Sequence, residues 1–167
     1  MIRIAVCDDD AEFLKNVVSL IEDWSGQSRI PVEICCFDNG DDLITQNTIR
    51  RIDIIFLDII MPLFSGMETA KEIRKRDTAV QIIFLTSSPE FALESYDVKA
   101  KGYLLKPVDE EKLRELLYDC SHNLQEERHL VLKTKFGYQK LYYHDIEYIE
   151  VQNKVVIKEE GKNGSLK

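Results

Sequence analysis

The chain has 167 residues, 44% of them hydrophobic and 31% charged, a balance that buries a core and excludes an intrinsically disordered chain. Its length accommodates one ordinary domain and a short second piece but not two full domains. The formal charge of −8 is uneven: residues 1–125 carry 14 Lys and Arg against 23 Asp and Glu, residues 126–167 carry 8 against 7, so the acidic first part is excluded as a polyanion binder and any DNA contact is left to the tail.

Along the chain, strand-like segments recur between segments of helical periodicity. Ile2 to Cys7 reads as a first strand. Asp10 then caps a helix whose apolar face is Phe13, Val17, Leu20, Ile21 and Trp24. Pro31 to Phe37 is a second strand, and Asp41 to Asn47 a short helix. Ile54 to Leu57 is a third strand, followed by a loop with Pro62 and Gly66 and a helix marked by Met67, Ala70 and Ile73. Arg74-Lys75-Arg76 reads as the solvated end of that helix, favoured by its dipole. Ile82 to Leu85 is a fourth strand, and Ser88-Pro89 predicts a helix through about Tyr96. Gly102 to Leu105 is a fifth strand; the last helix opens at Asp109 and turns Leu113, Leu116, Leu117, Cys120 and Leu124 to one face. The third and fourth strands are almost wholly apolar, as in a parallel sheet covered on both faces. Five βα units imply an α/β, flavodoxin-like doubly wound (βα)5 sheet of order 2-1-3-4-5.

After about Gln125 the pattern changes. Leu130–Phe136, Lys140–Tyr143, Ile146–Val151 and Lys154–Lys158 alternate in the β manner, with Gly137 at a turn, so a short all-β segment follows across the charged boundary Gln125–Arg128. The apolar runs are far shorter than the ~20 residues that span a bilayer, and a cytoplasmic chain without membrane contact is expected. Cys35 and Cys36 fall on opposite faces of one strand, and Cys7 and Cys120 stand alone. No zinc spacing or disulfide framework appears, which predicts reduced thiols.

In an open parallel sheet the ligand crevice lies at the carboxyl ends of the strands. The first strand ends in Asp8-Asp9-Asp10, the third in Asp58, the fourth in Thr86-Ser87 and the fifth in Lys106-Pro107. With the first strand between the second and third, the acids converge, while Thr86 and Lys106 approach from the other side. Carboxylates so gathered repel by about 4 kcal/mol per pair at 4 Å and a dielectric of 20, which calls for a cation. Mg²⁺, which takes one or two carboxylates plus phosphate oxygens, fits. Asp58 is the candidate nucleophile for a phosphoryl group, with Thr86 donating a hydrogen bond and Lys106 a positive charge. Asp10 reads as a helix cap rather than a ligand.

The motifs Val6-Cys7-Asp8-Asp9, Phe56-Leu57-Asp58-Ile59-Ile60-Met61-Pro62 with Gly66 beyond, Leu85-Thr86-Ser87 and Tyr103-Leu104-Leu105-Lys106-Pro107 resemble the signatures of response-regulator receiver domains. The resemblance covers residues 1–125. It implies a two-component phosphoprotein rather than an enzyme with turnover, phosphorylated on Asp58 by a sensor histidine kinase, with a possible homodimer on phosphorylation. It further implies Mg²⁺ held by Asp9, Asp8, Asp58 and the Ile60 backbone carbonyl. Thr86 and Tyr103 would form the switch, Lys106 would pair with the phosphoryl group, and the Lys106–Pro107 peptide is expected to be cis.

Other readings fit less well. A dehalogenase-type phosphatase wants a second Asp where Ile60 stands, and the Gly161-Lys162 pair is followed by Asn163 rather than the Ser or Thr of a phosphate-binding loop. His122, His129 and His144 lack metal or triad spacing. Residues 126–167 resemble the opening of a LytTR-type DNA-binding domain, especially Gly137 through Leu141 and Asp145-Ile146-Glu147-Tyr148-Ile149-Glu150. Less than half of that family's span is present, and Glu159 to Ser165 reads as flexible. DNA binding is therefore expected only of a complete C-terminal domain serving transcription regulation. Exposed strand edges in the tail would favour pairing with a second copy or a disordered tail.

Overall fold

In the computed structural model of the chain, residues 1–62, 64–92, 94–127, 129–134, 137–142, 146–151 and 155–159 are described. Two units divide it, Met1–Cys120 and Ser121–Lys167. In the first, the apolar runs become strands β1 (Ile2–Cys7), β2 (Val32–Phe37), β3 (Ile54–Asp58), β4 (Gln81–Thr86) and β5 (Gly102–Leu105). They form one parallel sheet in the order β2-β1-β3-β4-β5, as the sequence implies. Every residue of β3, and all of β4 beyond Gln81, is buried, because helices cover both faces.

Alternation along the strands sends Ala5, Cys7, Ile55, Leu57, Ile82 and Phe84 to one face. There they meet Leu43 of α2 (Gly40–Ile49) and Met67, Ala70 and Ile73 of α3 (Gly66–Arg74). On the other face Val17, Ile21 and Trp24 of α1 (Ala11–Ser28) are buried, as are Leu113, Leu117 and Cys120 of α4 (Glu110–Glu127). Trp24 and Tyr118 meet edge to face with centroids 5.7 Å apart, which places α1 beside α4. Phe13 and Leu20 of the expected α1 stripe are only partly buried. The caps are local: Asp10 accepts from the Glu12 and Phe13 N–H groups, Asn39 caps α2, and Ser65 with Glu68 forms a capping box on α3. All four cysteines are free thiols, and burial pushes Cys7 and Cys120 up to about 12.

Two expectations are corrected. The segment after β4 is not one α-helix to Tyr96 but two 3-10 turns, Pro89–Ala92 and Glu94–Tyr96. Bonds of the i→i+3 type (Asp97 N–H to Glu94 O, 3.1 Å; Lys99 N–H to Tyr96 O, 3.0 Å) are the 3-10 pattern, which is used in short runs. The run closes with the Ala100 N–H on Ser95 O at 3.1 Å and with Lys99 in the left-handed region at φ 49, a Schellman end carrying lysine where glycine is usual. Nor is Arg74 a plain solvated cation. Its Nε donates to Val98 O at 2.7 Å, Nη2 to Lys99 O at 3.4 Å and Nη1 to Asp77 O at 3.1 Å, so it occupies carbonyls that a turn end leaves unpaired.

In the second unit, β6 (His129–Thr134) pairs antiparallel with β7 (Gly137–Tyr142), and β8 (Ile146–Val151) with β9 (Val155–Glu159). Gly137 begins β7 opposite Thr134 at φ 128, a backbone angle that glycine tolerates. Arg128, Phe136, Tyr143, His144, Asp145, Lys154 and residues 160–167, to which boundary, strand and flexibility expectations attach, lie outside the described residues. No described helix is long and apolar enough to cross a membrane.

Candidate functional site

Sheet register assembles the site. Cys7 pairs with Leu57 and Asp58 with Leu85, so Asp8, one residue past β1, stands level with Asp58 at the end of β3. Thr86 pairs with Leu105, and the Lys106 N–H donates to Thr86 O at 2.8 Å, which extends the ladder by one step and delivers Lys106 to the same end. Asp8, Asp9 and Asp58 each place a carboxylate oxygen within 4.8 Å of the others. Asp8 and Asp58 are buried and Asp9 is exposed.

The lysine reaches further in than its place in the sequence implies. Lys106 Nζ lies 2.6 Å from Asp8 Oδ2 and 3.0 Å from Asp58 Oδ2, and 4.2 Å from the centroid of the Phe13 ring. It therefore binds the carboxylates themselves, supplying part of the positive charge that the acids demand. Burial pushes the Asp58 carboxyl pKa up; the Lys106 contact opposes this, and the neighbouring Asp8 charge adds to it. For Lys106, burial works against the charge, but the contacts with Asp8 and Asp58 outweigh it and the pKa rises.

Backbone geometry holds the carboxylates in place. Asp8 Oδ1 accepts from the Asp10 N–H at 3.0 Å and Asp58 Oδ1 from the Ile60 N–H at 3.3 Å. The Ile60 side chain is half exposed. Gly66 returns the chain to the acceptor: its N–H donates to Ile59 O at 3.0 Å, and a Cβ there would overlap the Asp58 carbonyl oxygen. Glycine is required here by close approach. Asp10 caps α1 with Oδ1, at 2.9 and 3.1 Å from the Glu12 and Phe13 nitrogens.

Asp8 Oδ2 is buried with no aligned hydrogen-bond donor; Lys106 at 2.6 Å is an ion contact outside hydrogen-bonding geometry. An incompletely satisfied buried oxygen beside two further carboxylates is an all-oxygen donor set suited to a hard divalent cation. Mg²⁺ fits these residues.

At the opposite rim, Thr86 is buried and its Oγ1 accepts from the Ser88 N–H at 3.2 Å, while Ser87 is exposed. Tyr103 packs against the α2/α3 core and donates its hydroxyl to Ser88 O; burial pushes its pKa up. Thr86 and Tyr103 thus converge on one residue, Ser88. The Lys106–Pro107 peptide is cis. Asp8, Asp9, Asp58 and Lys106 come together as the sequence implies. Phe13 is the site residue missed: an aromatic at helical spacing reads as core, and only its place one turn after an acidic run hinted otherwise.

The family model for the response regulator receiver domain matches residues 4–118. The chain is 41% identical over 119 residues to the positive alginate biosynthesis regulatory protein of Pseudomonas aeruginosa, covering 71% of this chain and 47% of that protein. It is 38% identical over 116 residues to the sensory transduction protein LytT of Oceanobacillus iheyensis, covering 68% and 45%. The chain thus spans about half the length of these relatives. Among solved structures, the response regulatory domain of protein mrkE from Klebsiella pneumoniae aligns with TM-score 0.68 and 26% identity, covering 75% of this chain and 99% of that one.

Proposed function

The chain belongs to the response-regulator receiver family, and on that premise we propose that residues 1–125 accept a phosphoryl group on Asp58 from the phosphohistidine of a sensor kinase. The observation that carries this is the meeting of Asp8, Asp9 and Asp58 within 4.8 Å, with Lys106 touching both buried acids. An Asp58 carboxylate oxygen forms the new O–P bond as the P–N bond to histidine breaks; the imidazole nitrogen leaves with the bonding pair and takes up a proton. Asp9, Asp8, Asp58 and the Ile60 backbone carbonyl would hold Mg²⁺, which when bound supplies positive charge against the phosphoryl oxygens. Lys106 moves from carboxylate to phosphoryl oxygen, so its charge follows the new anion. Thr86 turns its hydroxyl from Ser88 to the same group, releasing the Ser88 segment that Tyr103 also holds.

Residues 126–167 act as the start of a LytTR-type output piece. The resemblance of the tail and the similarity of the first unit to a sensory transduction protein, LytT, support that reading. DNA binding and transcription regulation then belong to a complete C-terminal domain, the protein works in the cytoplasm, and phosphorylation favours a homodimer. Incubation with a small acyl-phosphate donor and Mg²⁺ followed by intact mass tests the acceptor: one phosphoryl adduct is expected, lost in Asp58→Asn. An adduct that persists in that variant defeats the assignment. A salt-titrated gel shift with this chain is expected to give little specific DNA binding.

A further inference from the structure

The Lys106 ammonium meets two carboxylates and one aromatic ring in the site, and these contacts differ in kind. Asp8 Oδ2 at 2.6 Å and Asp58 Oδ2 at 3.0 Å are carboxylates that a divalent cation would also use. The third contact is the face of Phe13, 4.2 Å from Nζ to the ring centroid, well within the ~6 Å range of a cation–π interaction. The lysine side chain is 20% exposed, so this attraction operates in a largely desolvated site. The ring projects from the first turn of α1, where the Phe13 backbone N–H is bound by the Asp10 cap at 3.1 Å. Phe13 is half-buried, although its place on the apolar stripe of α1 would send it fully into the core.

A second cation entering among Asp8, Asp9 and Asp58 competes with the ammonium for the charge of the same two buried carboxylates. Whatever holds the ammonium between Asp8 and Asp58 therefore opposes metal entry. Phe13 holds it without being a possible ligand for a hard cation, since an aromatic ring supplies no oxygen.

Resting on the proposed phosphoacceptor reading, we infer that Phe13 is a positioning residue which keeps the Lys106 ammonium seated on Asp8 and Asp58 and thereby sets the affinity of the acidic pocket for Mg²⁺. The strength of one cation–π contact at such a site corresponds to about a fivefold change in affinity.

The test is Mg²⁺ titration of the full chain by calorimetry, in a double-mutant cycle. Phe13→Leu is expected to tighten Mg²⁺ binding about fivefold, and Phe13→Trp, with a more attractive ring face, to weaken it. In a Lys106→Met background, replacing Phe13 is expected to leave the Mg²⁺ affinity unchanged, which a merely structural role for the ring would not produce. An unaltered affinity in Phe13→Leu overturns the inference, as does an equal change with and without Lys106. Should Phe13→Leu fail to fold by circular dichroism, Phe13→Trp decides alone: affinity equal to or tighter than wild type overturns it. A wild-type chain that binds no Mg²⁺ also overturns it. The phosphoacceptor reading fails separately, if acyl phosphate leaves no adduct on Asp58 of the wild type.

Discussion

Replacing Lys106 by Met removes a cation in contact with both buried acids while keeping an aliphatic stem of similar length. At an effective dielectric of 20, contacts of 2.6 and 3.0 Å represent gross attractions of about 6 and 5.5 kcal/mol. Asp8 and Asp58, with oxygens within 4.8 Å, repel by about 3.5 kcal/mol once the lysine is gone. Most of the gross attraction offsets desolvation in the wild type, and removing one member of such a buried cluster costs about 3 kcal/mol net. For a unit of this size, that lowers the melting temperature by roughly 10 °C. The sign with pH follows from Asp58. Its folded-state pKa is already raised by burial, so the folded state favours the protonated carboxyl, and this group's contribution to stability is lost as pH rises through the folded value. Without Lys106 that pKa rises further, so the deficit is largest at neutral pH and shrinks as Asp58 takes up its proton in acid. Mg²⁺ supplies an alternative counter-charge and should recover stability more in the variant than in the wild type. Urea unfolding at neutral and at mildly acidic pH, with and without Mg²⁺, reads all three effects. A variant as stable as the wild type at neutral pH, and indifferent to Mg²⁺, refutes the reasoning.

Other substitutions test single contacts. Gly66→Ala drives a methyl group into the Asp58 carbonyl oxygen, backbone rather than a yielding side chain, and is expected to cost about 3 kcal/mol in urea unfolding and to slow phosphoryl uptake. Lys99→Gly relieves a left-handed residue at φ 49; the gain over the added chain entropy is about 0.5 kcal/mol, read as a higher urea midpoint. Asp10→Ala removes the acceptor for the Glu12 and Phe13 N–H groups and is expected to cost about 1 kcal/mol, with faster amide exchange confined to the first turn of α1.

Much of the fold was legible because burial on both faces leaves strands such as Ile54–Leu57 and Ile82–Leu85 with almost no polar residues, and because strand order then dictates which loop ends meet. Asp8, Asp9, Asp58 and Lys106 were legible for the same reason: each closely follows, or closes, a strand of one parallel sheet. What escaped depends on side-chain direction rather than spacing. Phe13 lies on the apolar stripe of α1, and nothing in its spacing distinguishes a ring under an ammonium from one in the core. Arg74 sits in a run of three cations, yet its guanidinium turns back to the carbonyls of Val98 and Lys99. The Ser88-Pro89 signal correctly marked a helical start, but a cap signal does not say which helical hydrogen-bond pattern follows, and here it is two 3-10 turns.

Arg74 and Tyr103 also act as the two piers of a span. Tyr103 grips the near end at Ser88, Arg74 the far end at Val98 and Lys99, and between them Phe91 and Val98 lean on the core beneath the sheet. Shifting this span as a unit therefore means breaking the Tyr103 or the Arg74 hydrogen bonds as well as that packing.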